Sequence, residues 1–190
     1  MTIGVFGGSF NPIHNAHINL ARNLLEAVDL NEVWFVVSPQ NPFKQQTDLM
    51  PDDLRLQMVS KALEDERRLK ACDIEMRMPK PSYMWNTLQA LGKEYPDHRF
   101  VLIIGSDNWE RFSEWYRASD IIKQYDIVIY PRPGYAIDKA TLPDNVTLTD
   151  TPQTDISSTE IRQRLQKGED IGELVPPVVA KMLKERSKEQ

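Results

Sequence analysis

The chain predicts an α/β fold: a mainly parallel sheet with helices on both faces. Two observations carry this. The segments Val33–Val37, Phe100–Ile104 and Ile127–Tyr130 are apolar on both faces, as strands buried inside a parallel sheet are. Between them lie stretches with helical spacing of apolar residues, and strands alternating with helices build a parallel sheet through crossover connections.

The first strand, around Ile3 and Val5, runs into Gly7-Gly8, where the missing Cβ atoms permit a sharp turn close to a ligand. Pro12 biases Asn11 towards an extended backbone, so the loop leaves the strand before a helix begins. Asn15 is the predicted N-cap, with His14 just outside the helix and His17 in its first turn; Ile18, Ala21, Leu24, Leu25 and Val28 form the apolar face. After Val33–Val37 come a helix from about Asp52 to Asp65 (Leu54, Met58, Val59 and Leu63 on one face) and a short strand near Ile74. A helix from about Tyr83 to Tyr95 ends before Pro96, and the next two strands follow. A weaker strand lies near Val146–Leu148 inside a Pro-, Asp- and Thr-rich excursion over 131–155. Helices at about Ser158–Lys167 and Pro177–Arg186 close the chain, the second fraying along its mixed-charge end, Lys181–Glu189.

A length of 190 residues suits one domain, read as residues 1–190 with a small helical part from about 157. A net charge of −5 disfavours a general nucleic-acid binder, so an anionic ligand must be caught by a few local basic groups. The lone Cys72 fits a reducing compartment. No apolar run approaches membrane-spanning length, and residues 1–8 enter directly into a strand, with no signal peptide in front. The expectation is a cytoplasmic protein without membrane or nucleic-acid partners.

The strand–Gly-Gly–His–helix segment is an anion site in outline. Free amides and the positive dipole end of the helix favour a phosphate, and two imidazoles accompany them. It is neither a Walker loop, lacking Gly-Lys-Ser/Thr, nor a Gly-x-Gly-x-x-Gly dinucleotide loop. His14 and His17 read otherwise as unrelated polar residues at a helix start, or as half of a metal site; no cysteine or acidic partner follows at ligand spacing. Other polar loops follow the later strands: Ser38–Lys44, Gly105–Trp109 and Pro131–Gly134. In open α/β sheets these carboxyl ends gather around one site at the switch in strand order. Ile156-Ser157-Ser158-Thr159-Glu160-Ile161-Arg162 is a capped helix start on its own terms.

Gly7-Gly8-Ser9-Phe10-Asn11-Pro12-Ile13-His14-Asn15-Ala16-His17 resembles the Gly-Gly-Ser/Thr-Phe-Asp-Pro-x-His-x-Gly-His signature of the nucleotidyltransferase family, with Asn11 for Asp and Ala16 for Gly. Ile156–Arg162 resembles that family's second signature, Ile-Ser-Ser-Thr-x-Ile-Arg. Pro81-Ser82-Tyr83-Met84-Trp85-Asn86-Thr87-Leu88 resembles the Pro-Ser-Tyr-Thr-x-Asp-Thr-Leu segment of the bacterial nicotinate-nucleotide adenylyltransferases, with Met84 for Thr and Asn86 for Asp. Gly105–Trp109 with Phe112, Trp115 and Tyr116, and Arg132-Pro133-Gly134, are similar to further segments of that group; Lys44 matches the lysine of its Pro-Pro-His-Lys loop, with Phe43 for His.

The resemblance implies a Rossmann-like nucleotidyltransferase fold and adenylyl transfer from ATP to nicotinate mononucleotide, with Mg²⁺ arriving on ATP rather than at a dedicated protein site. It implies His14, His17, Lys44 and Arg162 on the phosphates during transfer. Gly7, Gly8, Ser9, Phe10, Asp107, Ile156, Ser157 and Ser158 would bind ATP; Ser82, Tyr83, Met84, Trp115, Tyr116 and Arg132 would bind the mononucleotide. Trp115 would stack on the pyridine ring, whereas Trp109 and Phe112 read as core aromatics. A pantetheine-phosphate adenylyltransferase shares both signatures, but the segments at Ser82 and Trp115 and the longer chain speak against it. A nicotinamide-mononucleotide-preferring enzyme and a nucleotide-binding sensor without turnover are the remaining rival functions.

Overall fold

The structure, a computed structural model, describes residues 1–39, 49–152 and 156–189. Six strands form one sheet: β1 Thr2–Gly8, β2 Glu32–Val37, β3 Leu69–Cys72, β4 Arg99–Gly105, β5 Asp126–Tyr130 and β6 Val146–Leu148. Their order is β3-β2-β1-β4-β5-β6, and every pairing is parallel. The strand order therefore reverses between β1 and β4, whose carboxyl ends flank the crevice where such sheets bind ligands.

Each central strand feeds two cores by alternation. Val33, Phe35 and Val37 of β2, with Val101 and Ile103 of β4, pack on one face. That face is covered by α1 (Asn15–Ala27), α2 (Asp52–Ala62), α6 (Ser158–Gln166) and α7 (Pro177–Glu189), through residues such as Leu24, Met58, Ile161 and Val179. Trp34 and Val36, with Leu102 and Ile104, face the other way, under α3 (Met84–Glu94) and α5 (Ala118–Gln124).

Three local expectations are corrected. Asn15 is the first residue of α1 and His14 is the N-cap, in extended backbone. The Asn15 amide is committed elsewhere: its backbone N–H donates to Leu174 O and its Nδ2 to Glu173 O, both at 2.9 Å, tying α1 to the C-terminal segment. The third strand lies at Leu69–Cys72, while Ile74 begins a 3₁₀ turn, Ile74–Arg77, because the chain has already left the sheet. Two short helices unforeseen in the sequence, α4 (Ser106–Glu110) and α5, fill the return from β4 to β5. Among the described residues no helix is long and apolar enough to cross a membrane.

Candidate active site

A cleft of about 480 Å³ opens at the carboxyl ends of β1 and β4. Every residue assigned a ligand role in the sequence lines it, except Lys44, which lies outside the described residues.

At one end the glycines admit close packing rather than open space. A Cβ on Gly7 would sit 2.7 Å from Met84 Cε, and one on Gly8 3.0 Å from the Phe10 ring. Phe10 adopts a left-handed backbone, φ 44°. A bulky side chain persists there only when its surroundings hold it. The Phe10 ring packs edge-on against Phe6 and His17, at centroid separations of 5.6 and 5.1 Å, and tilted on Phe35.

His14 and His17 stack with ring centroids 3.6 Å apart. The His14 backbone N–H donates to His17 Nδ1 at 3.3 Å. A neutral His17 that accepts at Nδ1 carries its proton on Nε2, so that nitrogen is a donor. His14 is 3% exposed, and its Nδ1 has no hydrogen-bond partner. Burial, reinforced by the charge of Arg132, pushes its pKa down to about 4. The imidazole is therefore neutral at pH 7 without ligand. A polyphosphate bound beside it would supply negative charge that favours imidazolium. The His14 ring resonances should titrate near 4 in the free protein and at higher pH with a non-hydrolysable ATP analogue; titration of the free protein near 6.5 would contradict the burial. The unfolded chain takes up this proton near 6.5 and the folded one near 4, so acidification across that window removes stability.

The second signature is bolted to the first. Ser157 caps α6, its hydroxyl accepting from the Glu160 N–H at 3.2 Å. Ser158 Oγ donates to Pro12 O at 3.0 Å, and the Arg162 guanidinium donates to Asn11 O at 2.9 Å and to Thr159 Oγ1 at 3.3 Å. Asn11 Oδ1 accepts from the Met50 N–H at 3.0 Å, a contact that needs an acceptor and no charge.

Beneath the loops lies a residue to which no sequence motif points. Arg55 is wholly buried, and all five of its N–H donors are engaged. They reach Ser9 O, Ser38 O at 2.9 Å, Pro39 O at 3.5 Å, Met50 O at 3.0 Å and Asp52 Oδ1 at 2.7 Å. One guanidinium thus joins the loop after β1 to the loop after β2.

At the far end Trp115 lines the cleft, tilted on Phe112 at 5.2 Å, while Trp109 stacks on Phe112 and stays out of the cleft wall. Tyr83 and Tyr116 face each other with centroids 5.1 Å apart. Tyr83 is the N-cap of α3 and supplies no side-chain cap, so no side chain of the cap residue occupies the amides of the first turn. The Ser82 hydroxyl is not available as a ligand donor: it donates to Glu75 Oε2 at 2.6 Å, and Glu75 is a second residue that the sequence motifs do not reveal. Asp107 and Arg132 pair in the cleft wall at 3.6 Å, and Ser106 Oγ accepts from the Arg132 N–H at 2.8 Å, linking the ends of β4 and β5. Among the described residues no group of three or more His, Cys, Asp or Glu is placed to hold a metal ion.

The chain matches the family model described as cytidylyltransferase-like over residues 5–164. It is 49% identical over 180 residues to a probable nicotinate-nucleotide adenylyltransferase of Bacteroides fragilis, covering 95% of this chain and 90% of that protein. A protein of the same description from Bacteroides thetaiotaomicron is 48% identical over 182 residues, covering 96% and 90%. The solved structure of Plasmodium falciparum nicotinic acid mononucleotide adenylyltransferase complexed with NaAD superposes with a TM-score of 0.80 at 20% identity, covering 97% of this chain and 95% of that one, a likeness of fold.

Proposed function

This chain belongs to the nicotinate-nucleotide adenylyltransferase family, and from that premise we propose that it transfers the adenylyl group of ATP to nicotinate mononucleotide, giving deamido-NAD and pyrophosphate in NAD biosynthesis. The observation that carries the reading is the single cleft in which both phosphate signatures and the segments around Ser82 and Trp115 meet.

In this reaction an oxygen of the mononucleotide 5′-phosphate attacks the α-phosphorus of ATP in line, and the bond to the β-phosphate oxygen breaks. The nucleophile is already an anion at neutral pH, so no general base is required. Positioning and charge stabilisation remain for the protein. His14, His17 and Arg162, with Lys44, serve the phosphates; the starts of α1 and α6, with Gly7, Gly8, Ser9, Phe10, Ile156, Ser157 and Ser158, cradle the triphosphate; Asp107 meets the ribose. Arg132, whose charge reaches His14, suits the 5′-phosphate of the mononucleotide. Mg²⁺ enters as part of the substrate, MgATP. The reading places the protein in the cytoplasm, for which the single, free Cys72 speaks.

Trp115 stacks on the pyridine ring, and its carboxylate takes the open amides of Met84 and Tyr116. Met84 has no hydroxyl to add, and its methyl is spent against Gly7. The acid remains preferred over the amide because backbone donors do not depend on side-chain identity.

The test is pyrophosphate release from ATP with nicotinate mononucleotide, nicotinamide mononucleotide or phosphopantetheine. We expect turnover with the first to exceed that with the second, and none with the third. Preference for the amide would overturn the substrate assignment alone; phosphopantetheine turnover would favour the rival enzyme; ATP binding without pyrophosphate release would favour the sensor.

A further inference from the structure

Glu75 is a carboxylate inside the protein, 2% exposed, at the back of the cleft. Among the described residues no lysine or arginine pairs with it. Its partners are two hydroxyls: Ser82 Oγ donates to Oε2 at 2.6 Å and Thr87 Oγ1 to Oε1 at 2.7 Å. Burying a carboxylate on such terms is unfavourable compared with an apolar side chain of similar size. The arrangement calls for a gain elsewhere.

The gain lies in which residues are gripped. Ser82 stands just before the Tyr83 cap of α3, and Thr87 closes its first turn, donating its backbone N–H to Tyr83 O at 3.1 Å. Glu75 therefore holds the helix start from both sides. A serine or threonine at the cap position itself would accept from the first amides and consume them. Here the cap residue is Tyr83, which offers no side-chain acceptor; the Ser82 hydroxyl donates to Glu75, and the Thr87 hydroxyl is shared between Glu75 Oε1 at 2.7 Å and Tyr83 O at 3.2 Å. The first turn is thus tied to Glu75 while its amides carry no side-chain cap.

We propose that Glu75 is a positioning residue: through Ser82 and Thr87 it fixes the first turn of α3 with its amides presented to the carboxylate of the pyridine substrate. This rests on the nicotinate mononucleotide reading. Glu75 itself does not touch the substrate, and its negative charge opposes an anion nearby, so positioning and bare electrostatics predict opposite signs.

Thr87 is fully buried and does not line the cleft, which makes it the place to test the brace. Thr87→Val removes one hydroxyl from Glu75, and its weaker contact to Tyr83 O, without removing a residue that lines the cleft. The expected result is a rise of about tenfold in KM for nicotinate mononucleotide, the scale of one hydrogen bond to a charged group. KM for ATP and KM for nicotinamide mononucleotide should stay within about twofold, so acid-over-amide selectivity falls. Thr87→Ser should restore it. Glu75→Gln, which loses one acceptor as well as the charge, should also raise KM for nicotinate mononucleotide. It provides the reading if Thr87→Val does not fold. An unchanged nicotinate KM in Thr87→Val, a parallel rise for ATP, or a lowered nicotinate KM in Glu75→Gln would each overturn the brace. A wild-type protein that releases no pyrophosphate with nicotinate mononucleotide would instead overturn the functional reading.

Discussion

His17→Ala should lower turnover by roughly a hundredfold or more, the effect of removing one preorganised donor from a developing charge, while KM for ATP changes only a few-fold. The expectation follows from how the ring is held. His17 stacks on His14 at 3.6 Å, meets Phe10 edge-on at 5.1 Å, and takes a backbone N–H on Nδ1. Its Nε2–H is thus oriented before any substrate arrives, and needs no reorganisation as the transition state forms. Two variants separate the donor from the scaffold. His17→Asn offers a side-chain oxygen to the His14 N–H but cannot reach as far into the cleft, so it should be nearly as slow as His17→Ala. Steady-state pyrophosphate release at saturating substrates measures both. Wild-type turnover in either would remove His17 from the chemistry and leave it as a helix-start residue.

The central strands were legible because burial on both faces erases polar alternation, and Val33–Val37 and Phe100–Ile104 show none. The edge strand β3 was misplaced for the opposite reason. It is four residues long and carries exposed Lys70 between Leu69 and Cys72, so its pattern is weaker than that of the neighbouring Ile74, which is buried in a turn. Helices α4 and α5 are five and seven residues long, too short for a helical period to emerge, and α5 starts from Arg117 in left-handed backbone. The phosphate loops were legible as motifs because their chemistry depends on residue type at fixed local spacing. Glu75 and Arg55 were not, because their partners come from elsewhere along the chain. One signal for Arg55 was present. It lies three and four residues before Met58 and Val59, on the stripe of α2 that is buried, where an arginine requires a structural explanation.

Arg55→Met should be the most destabilising single change in the loop scaffold, lowering the free energy of unfolding by about 3–5 kcal/mol, the usual loss when one partner of a buried charged network is removed. The side chain is completely buried, so water cannot replace it. Its removal strands the carbonyls of Ser9, Ser38 and Met50, and leaves Asp52, among the described residues, with Lys80 at 2.6 Å as its remaining ion-pair partner. Methionine fills much of the volume but offers no donor, so the loss is chiefly of hydrogen bonds. Arg55→Lys should fall between, since three rotatable donors cannot match five in a planar fork. At about 2–4 °C per kcal/mol for a chain of this size, the methionine variant should melt roughly 6–20 °C lower. Function should suffer beyond stability. Ser9 O is held by the same guanidinium as Ser38 O, so the loop carrying His14 loses its guanidinium tie to the loop after β2 and keeps only weaker ones such as the Met50 N–H on Asn11 Oδ1. Well below its melting point, the folded variant should therefore still show reduced turnover. Denaturation midpoints and rates measured at the same low temperature decide both points. A variant within about 1 kcal/mol of wild type, the net worth of one ordinary hydrogen bond, would mean that the loops hold one another without Arg55.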